Sequence, residues 1–146
     1  MSESQSEMGA RKPEMSVERD SHGSAQRRAG PEQTERDGCS RNTVFRSYLL
    51  ARYIFETLGY RRYEWKCDAL NAASRRAALR YGFVYEGTFR QYMIAKGRNR
   101  DNAWFSMLDS EWPDRKRSFE RWLAPENFDS EGRQRTSLAA LKEQKA

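Results

Sequence analysis

The stretch Gly59–Phe83 decides the fold: GYRRYEWKCDALNAASRRAALRYGF. Apolar and charged side chains alternate over residues 61–68, which predicts a strand with one packed face and one face that is wet or covered by long aliphatic stems. Asn71 is a favoured helix N-cap, and Gly82 can adopt the left-handed conformation that ends a helix. Residues 72–81 are therefore predicted to form a helix directly after the strand.

The residues before this stretch predict an amphipathic helix over 43–58. Ser40 or Asn42 can cap its start, and Gly59 can end it. Its apolar residues are spaced by three and four, so they share one face. That face is predicted to contain Val44, Tyr48, Ala51, Phe55 and Leu58.

The residues after this stretch predict a β-hairpin and a short helix. A long strand over 83–94 is followed by a polar turn over 96–101 and a returning strand over 102–110. Trp112-Pro113 then opens a helix, because proline suits the first helical position. Strict alternation would direct one set of side chains in the first strand to the same side: Phe83, Tyr85, Gly87, Phe89 and Gln91. The fold class is α/β (an α+β layer), a short sheet packed by helices.

Composition divides the chain into three parts. All aromatic residues lie between Phe45 and Phe128. Residues 1–42 are predicted to be a disordered leader without strands, because they contain too little apolar surface to offset chain entropy. Residues 43–125 are predicted to be the domain, and 126–146 a polar tail that forms at most a turn or two.

Charge and cysteine usage limit the function classes. The net charge is +6, and the excess lies after the leader, which favours an anionic ligand or a solvated basic surface. Cys39 and Cys67 are too few and too far apart for a zinc site, and His22 is the sole histidine, so no metal is expected. No apolar run is long enough to span a membrane. These features predict a soluble cytoplasmic protein in a reducing compartment.

The stretch from Gly59 to Phe83 resembles the GNAT superfamily, and it is closest to the RimJ/RimL-like branch. The features that carry the resemblance are the strand, the Asn-x-x-Ser start at Asn71, the Gly82-Phe83 end and the later Glu86-Gly87 and Glu111-Trp112 pairs. The resemblance covers roughly 43–125, the C-terminal half of that domain. It implies a partial GNAT fold and an N-acetyltransferase that transfers acetyl from acetyl-CoA to a primary amine, at a protein N-terminus or on a small molecule.

The resemblance also implies the cosubstrate-binding residues, namely Asn71, Ser74 and Arg75. In the family, the residue in the position of Asn71 often hydrogen-bonds a pantetheine amide, whereas a plain N-cap is the structural alternative. Arg75 and Arg76 could reach the phosphates of acetyl-CoA or could belong to a solvated helix face. Backbone N–H groups at a helix start also favour an anion.

Two features depart from the family pattern. No glycine-rich pyrophosphate loop precedes the first helix, since residues 37–42 contain one glycine and follow no predicted strand. Many family members have a tyrosine that acts as the general acid seven residues after the motif asparagine, and here that residue is Ala78. The catalytic residues are therefore unknown, and a truncated or catalytically inactive remnant, or an interaction module, is the alternative.

Two partner hypotheses follow. Without preceding strands, the strand at 61–68 would leave an open edge, where a second copy of the chain could dock. RNA binding through the arginines is disfavoured, because the aromatic residues fall at core spacing and form no stacking platform.

Overall fold

The computed structural model describes residues 14–18 and 40–143, and only the backbone of the first segment. The strands are β1 (Glu14–Glu18), β2 (Arg62–Asp68), β3 (Val84–Ala95) and β4 (Arg98–Leu108). The helices are α1 (Arg41–Arg52), α2 (Ala72–Arg80), α3 (Trp112–Leu123) and α4 (Leu138–Glu143). A π-helical turn, Tyr53–Thr57, extends α1, and a 3-10 turn, Pro125–Asn127, follows α3.

The four strands form one sheet in the order β1-β2-β4-β3. β2 and β3 both pair antiparallel with β4, and β1 pairs parallel with β2. Side chains of β2 and β4 alternate between two faces. We call them the helix face (Tyr63, Trp65, Cys67, Ala103, Phe105 and Met107) and the polar face (Arg62, Glu64, Lys66, Asn102, Trp104 and Ser106).

The helix face forms the core with α1, α2 and α3. Every helix-face residue is at most 7% exposed, and the same cluster includes Phe119 and Trp122 of α3. Phe83 packs edge-on against Tyr63 and Trp65, with ring centroids 5.0 and 5.7 Å apart. The predicted packed face of the strand at 61–68 is therefore confirmed.

The first helix begins as predicted, since Ser40 Oγ accepts from the Thr43 backbone N–H. Four of its five predicted core residues are buried, but Leu58 is 43% exposed and Ile54 is fully buried instead. The π-helical turn explains the change, because each π turn holds an extra residue and rotates the following side chains around the axis.

The predicted side-chain alternation of β3 is wrong. The pairing with β4 shifts register between Tyr85 and Gly87 and again between Phe89 and Met93. A β-bulge inserts unpaired residues, so the faces exchange beyond it. Tyr85 consequently packs on Phe105 of the helix face, whereas Phe89 packs on Trp104 of the polar face.

The expectation of a strandless segment over 1–42 is corrected for five residues. Glu14–Glu18 pairs with Arg62–Lys66, so the edge of β2 that the docking hypothesis required is occupied along most of its length. This strand was missed because only Met15 and Val17 are apolar in it, among charged and polar neighbours. The rest of the predicted leader, 1–13 and 19–39, lies outside the described residues.

The packed structure extends beyond the predicted domain end at 125. Leu138 and Leu141 of α4 are 3% and 7% exposed and belong to the main core. Asn127 holds this segment, because its Nδ2 donates to the carbonyls of Trp122 and Thr136 and its Oδ1 accepts from the Thr136 N–H. The polar composition of residues 126–146 gave no indication that two leucines of this segment pack in the core. No helix in the described part of the chain is long and apolar enough to cross a membrane.

Candidate acyl-CoA-binding site

The site predicted from the sequence lies where β2 ends and α2 begins. Asp68 shapes the connecting turn, because its Oδ1 accepts from the Leu70 N–H at 2.9 Å and its carbonyl accepts from the Asn71 N–H at 2.9 Å. The Ala69 N–H donates to the Asp101 carbonyl at 2.8 Å, which ties the turn to β4. Backbone and side chain together therefore fix where α2 starts.

Asn71 is the N-cap of α2. Its Oδ1 accepts from the Ser74 N–H at 2.9 Å, which satisfies one of the free N–H groups of the first turn. No residue in the described ranges pairs with its Nδ2. The capping role is therefore observed, and it leaves the two Nδ2 hydrogens available to a ligand carbonyl.

Ser74 joins α2 to the sheet. Its Oγ accepts from the indole N–H of Trp65 at 3.1 Å. The hydroxyl keeps its own hydrogen as a donor. Ser74 thus lies beside Asn71, as the sequence predicts, and its observed contact is structural.

Arg75 turns back onto its own connection. Its Nη1 donates to the Ala69 carbonyl at 3.3 Å, and its guanidinium lies 5.7 Å from the centre of the Tyr85 ring. Arg76 is exposed on the next position of the helix. The structure brings Asn71, Ser74 and Arg75 together at one end of α2, with Arg75 committed to local contacts.

Solved acetyltransferase structures match a large part of this chain. A GCN5-related N-acetyltransferase from Brucella melitensis is 54% identical with a TM-score of 0.70, and the match covers 70% of this chain and 47% of that one. The chain belongs to the GNAT family. A probable GNAT acetyltransferase from Chromobacterium violaceum (55% identity, TM-score 0.50) is matched over 51% of this chain and 37% of that one.

A third solved relative, a putative acetyltransferase from T. thermophilus, is 34% identical with a TM-score of 0.56. The match covers 62% of this chain and 48% of that one. The chain thus spans about half the length of these solved relatives. No protein-family model matches the sequence, and no curated protein is significantly similar to it.

The GNAT half-domain offers no general acid at the position predicted from the family. Ala78 is fully buried in the core. Tyr81, on the following turn, is 4% exposed, and its ring packs near Trp65 and Phe119 at 6.0 and 6.3 Å. The described residues contain no cluster of His, Cys, Asp and Glu that could hold a metal ion.

The polar face carries a charge network that sequence reasoning did not identify. The guanidinium of Arg62 donates to Glu64 at 2.7 Å and to both carboxylate oxygens of Glu86 at 2.8 and 2.6 Å. Ser106 Oγ donates to Glu86 Oε1 at 2.6 Å. These bonds, first that of Arg62 and then that of Ser106, lower the pKa of Glu86 to about 2. The bulge that places Glu86 here leaves no regular signal in the sequence.

A small cavity lies away from the predicted site. It measures about 190 Å³ and is lined by Val44, Arg80 and Trp122 with four residues of the C-terminal segment. None of the predicted ligand residues borders it. Among the described residues, the β2–α2 junction therefore remains the candidate site. It is chosen because Asn71, Ser74 and Arg75 lie together there and because the resemblance to the family implies those residues.

Proposed function

We propose that this chain carries the acyl-CoA-binding half of an N-acetyltransferase of the RimJ/RimL-like type. The observation that carries the proposal is Asn71, which caps α2 through Oδ1 while its Nδ2 faces no partner in the described residues. An asparagine that only capped a helix would need no amide nitrogen, since serine and aspartate cap equally well. The Nδ2 group is a donor of the kind that a pantetheine carbonyl requires.

Acetyl-CoA is the cosubstrate in this proposal. Asn71 binds the pantetheine arm, and the Ser74 hydroxyl lies alongside as a second hydrogen-bond donor. The start of α2, with Arg75, favours the phosphates of acetyl-CoA. In the reaction the acceptor amine attacks the thioester carbonyl, a C–N bond forms and the C–S bond breaks. The amine nitrogen loses one proton and the CoA thiolate takes one up. The residues of the chain bind and orient the thioester, and no described residue is assigned the proton transfers.

The location and acceptor belong to the same proposal. A reducing cytoplasm suits the unpaired, buried thiol of Cys67. The acceptor is a primary amine of a protein N-terminus or of a small molecule. RNA is a weaker partner, because Arg100 faces Asp68 at 3.6 Å.

A catalytically inactive remnant or interaction module is the second candidate. One observation favours it: the position where the family resemblance places a tyrosine as general acid is occupied by Ala78, which is fully buried. In that case the half-domain binds acetyl-CoA or a protein partner without turnover.

Calorimetric titration with acetyl-CoA tests the binding role of Asn71. Asn71→Ser keeps a capping oxygen and removes the amide nitrogen, so the free energy of unfolding should change by less than about 0.5 kcal/mol. Acetyl-CoA affinity should fall about 5- to 10-fold, as expected for one lost hydrogen bond. Asn99→Ser, at an exposed position near the start of β4, is the matched control and should bind like the unchanged chain.

The outcomes separate the two candidates. Absence of binding heat from folded protein would overturn the acyl-CoA proposal. Binding together with CoA thiol release in the presence of a primary amine supports the enzyme. Binding without thiol release across protein N-terminal peptides and small amines supports the inactive alternative.

A further inference from the structure

The cavity between α1, α2, α3 and the segment that follows α3 reaches the hydrophobic core. It measures about 190 Å³. We call Val44, Trp122 and Leu138 its apolar wall; each is at most 3% exposed and belongs to the core cluster. Ala139, an exposed residue of α4, lines the cavity on the side that meets solvent. An apolar cavity of about 150 Å³ holds benzene, so this one has room for a ring with one polar substituent.

Hydrogen-bond donors line the same cavity, and we call Arg80 and Ser137 its donor side. Arg80, in the last turn of α2, is half-buried, and no residue in the described ranges pairs with its guanidinium. Ser137 Oγ accepts from the Ala140 N–H at 3.2 Å, which leaves the hydroxyl hydrogen as a donor. None of the described residues that line the cavity is acidic. The donor side therefore has no anionic partner of its own.

Further positive charge lies at this end of α2. Lys142 Nζ donates to the carbonyl of Leu79, the neighbour of Arg80, at 2.5 Å. Burial and then the charge of Arg115 lower the pKa of Lys142, and the charge of Glu143 opposes this shift. The Nε of Arg115 is itself buried without a hydrogen-bond partner in the described part of the chain. Cations held together in this way attract an anion.

The two sides of the cavity select the chemistry of a ligand. A carboxylate accepts hydrogen bonds from a guanidinium and from a hydroxyl, and the bond to the guanidinium is of the strong, charge-assisted kind. An ammonium group accepts no hydrogen bond, and the nearby cations repel it. Inorganic phosphate would leave the apolar wall without a contact, and a plain hydrocarbon would leave the donor side unpaired. Both sides are used only by a carboxylate that carries an apolar group.

We propose that this cavity binds a small monocarboxylate with a compact apolar body, whose carboxylate bonds to the donor side while the body packs on the apolar wall. The site is separate from the proposed acyl-CoA site, because Asn71 and Arg80 lie at opposite ends of α2, about 13 Å apart along the helix axis. The bound ligand links α2 to the start of α4. It therefore stabilises the packing of the segment after α3.

Trp122 reports on the occupancy of the cavity, because it is the one tryptophan that lines it and its indole N–H donates to Gln134 at 2.8 Å. In ¹⁵N-labelled protein, sodium benzoate should shift the Trp122 indole signal saturably and leave the other three tryptophan signals in place. Benzyl alcohol has the ring without the charge, and acetate has the carboxylate without the ring. Each should bind at least about 10-fold more weakly than benzoate.

Substitutions on two sides of the cavity locate the site. Arg80→Gln removes a charge that has no partner in the described residues, so the thermal midpoint of unfolding should change little, whereas benzoate affinity should fall at least about 10-fold. Arg98→Gln removes the same charge at an exposed position at the start of β4 and should keep the affinity of the unchanged chain. Ala139→Phe fills the cavity with a ring and should also weaken benzoate binding at least about 10-fold.

Three results would overturn the site: unchanged benzoate affinity in Arg80→Gln or Ala139→Phe, equal affinity for benzoate and either other probe, or a Trp122 signal that does not saturate below about 10 mM benzoate. Acetyl-CoA added to the titration should leave benzoate affinity unchanged. Displacement of benzoate by acetyl-CoA would place benzoate at the β2–α2 junction and would also overturn the separate site. Benzoate binding by a chain that does not bind acetyl-CoA supports the cavity site and removes the proposed function.

Discussion

The two faces of the sheet are built from the same strands, but their buried residues contribute differently to the stability of the fold. Phe105 on the helix face is 1% exposed and belongs to the same core cluster as the buried residues of α1, α2 and α3. Asn102 on the polar face is equally buried, but its amide has no partner in the described residues. Burial of the first stabilises the fold, whereas burial of the second costs stability. Two side chains with nearly equal exposure therefore contribute to stability with opposite signs.

The polar face itself divides in two. At one end Arg62 bridges Glu64 and Glu86, and every charge has a partner. At the other end the bulge at Gln91 and the amide of Asn102 hold unfavourable features close together. Native folds rarely keep such features, and those that do often have them at functional sites.

The largest expected difference comes from matched phenylalanine truncations on the two faces. Phe105→Ala should lower the unfolding free energy by about 3–5 kcal/mol, because it leaves a cavity in the core. Phe89→Ala should lower it by less than about 1 kcal/mol, since that ring is half exposed. Urea unfolding followed by tryptophan fluorescence measures both.

A milder substitution keeps this comparison measurable if Phe105→Ala does not fold. Phe105→Leu keeps most of the buried volume and should cost about 1–1.5 kcal/mol, so its transition remains measurable. Equal losses for Phe105→Ala and Phe89→Ala would show that the two faces contribute alike and would refute the distinction between them.

A smaller effect is expected at the glycine that joins α2 to the helix face. Gly82 has φ +93°, and a Cβ there would lie 2.6 Å from Cδ of Arg115. Gly82→Ala should therefore lose about 2–3 kcal/mol, from a backbone cost of about 1–2 kcal/mol plus the contact. Gly97→Ala is the control, because Gly97 has φ +74° with no atom within 4 Å and should lose the backbone cost alone.

The double variant Gly82→Ala/Arg115→Ala checks the assignment. Relative to Arg115→Ala, the glycine substitution should now cost no more than it does at Gly97, as measured by thermal unfolding. A full additional loss in the absence of the arginine side chain would contradict the steric part of the explanation.

Most helices and strands of the fold could be predicted from local rules, whereas β1, the packing of α4 and the side-chain faces of β3 could not. Asn71, Gly59 and Gly82 mark helix boundaries through capping and positive φ, and the structure has them in those roles. The face of Phe89 was predicted wrongly because a bulge is set by pairing with β4, not by β3 itself. The burial of Asn102 depends on neighbours from other strands, and no spacing in the sequence reports it.

The candidate site shows the same division. Asn71, Ser74 and Arg75 were found because they lie within five residues of one helix start, where chain order determines proximity. The contact between Arg75 and Tyr85 and the network around Glu86 join residues of different elements. Such contacts cannot be predicted without the packed structure. The rotamer of Arg75, for example, decides whether its guanidinium reaches a phosphate or a nearby carbonyl.

The smallest expected effect is the pH dependence at the satisfied end of the polar face. The bonds from Arg62 and Ser106 lower the pKa of Glu86 from 4.5 to about 2. A lowered folded pKa gives stability that is fully present above the unfolded value and is lost as the pH falls through the folded value, here from about 4.5 to about 2. The Glu86 side chain is 40% exposed, so solvent screening limits the effect to about 1 kcal/mol.

Glu86→Gln should therefore unfold about 1 kcal/mol more easily at pH 7, and its stability should fall less steeply between pH 4.5 and pH 2. Urea unfolding across that range measures the slope. Glu126→Gln, an exposed carboxylate beyond α3, is the control and should keep the slope of the unchanged chain. Since the difference arises from the pair with Arg62, added salt should reduce it. A Glu86→Gln curve parallel to that of the unchanged chain down to about pH 2 would show that the Arg62–Glu86 pair contributes nothing to the free energy of unfolding.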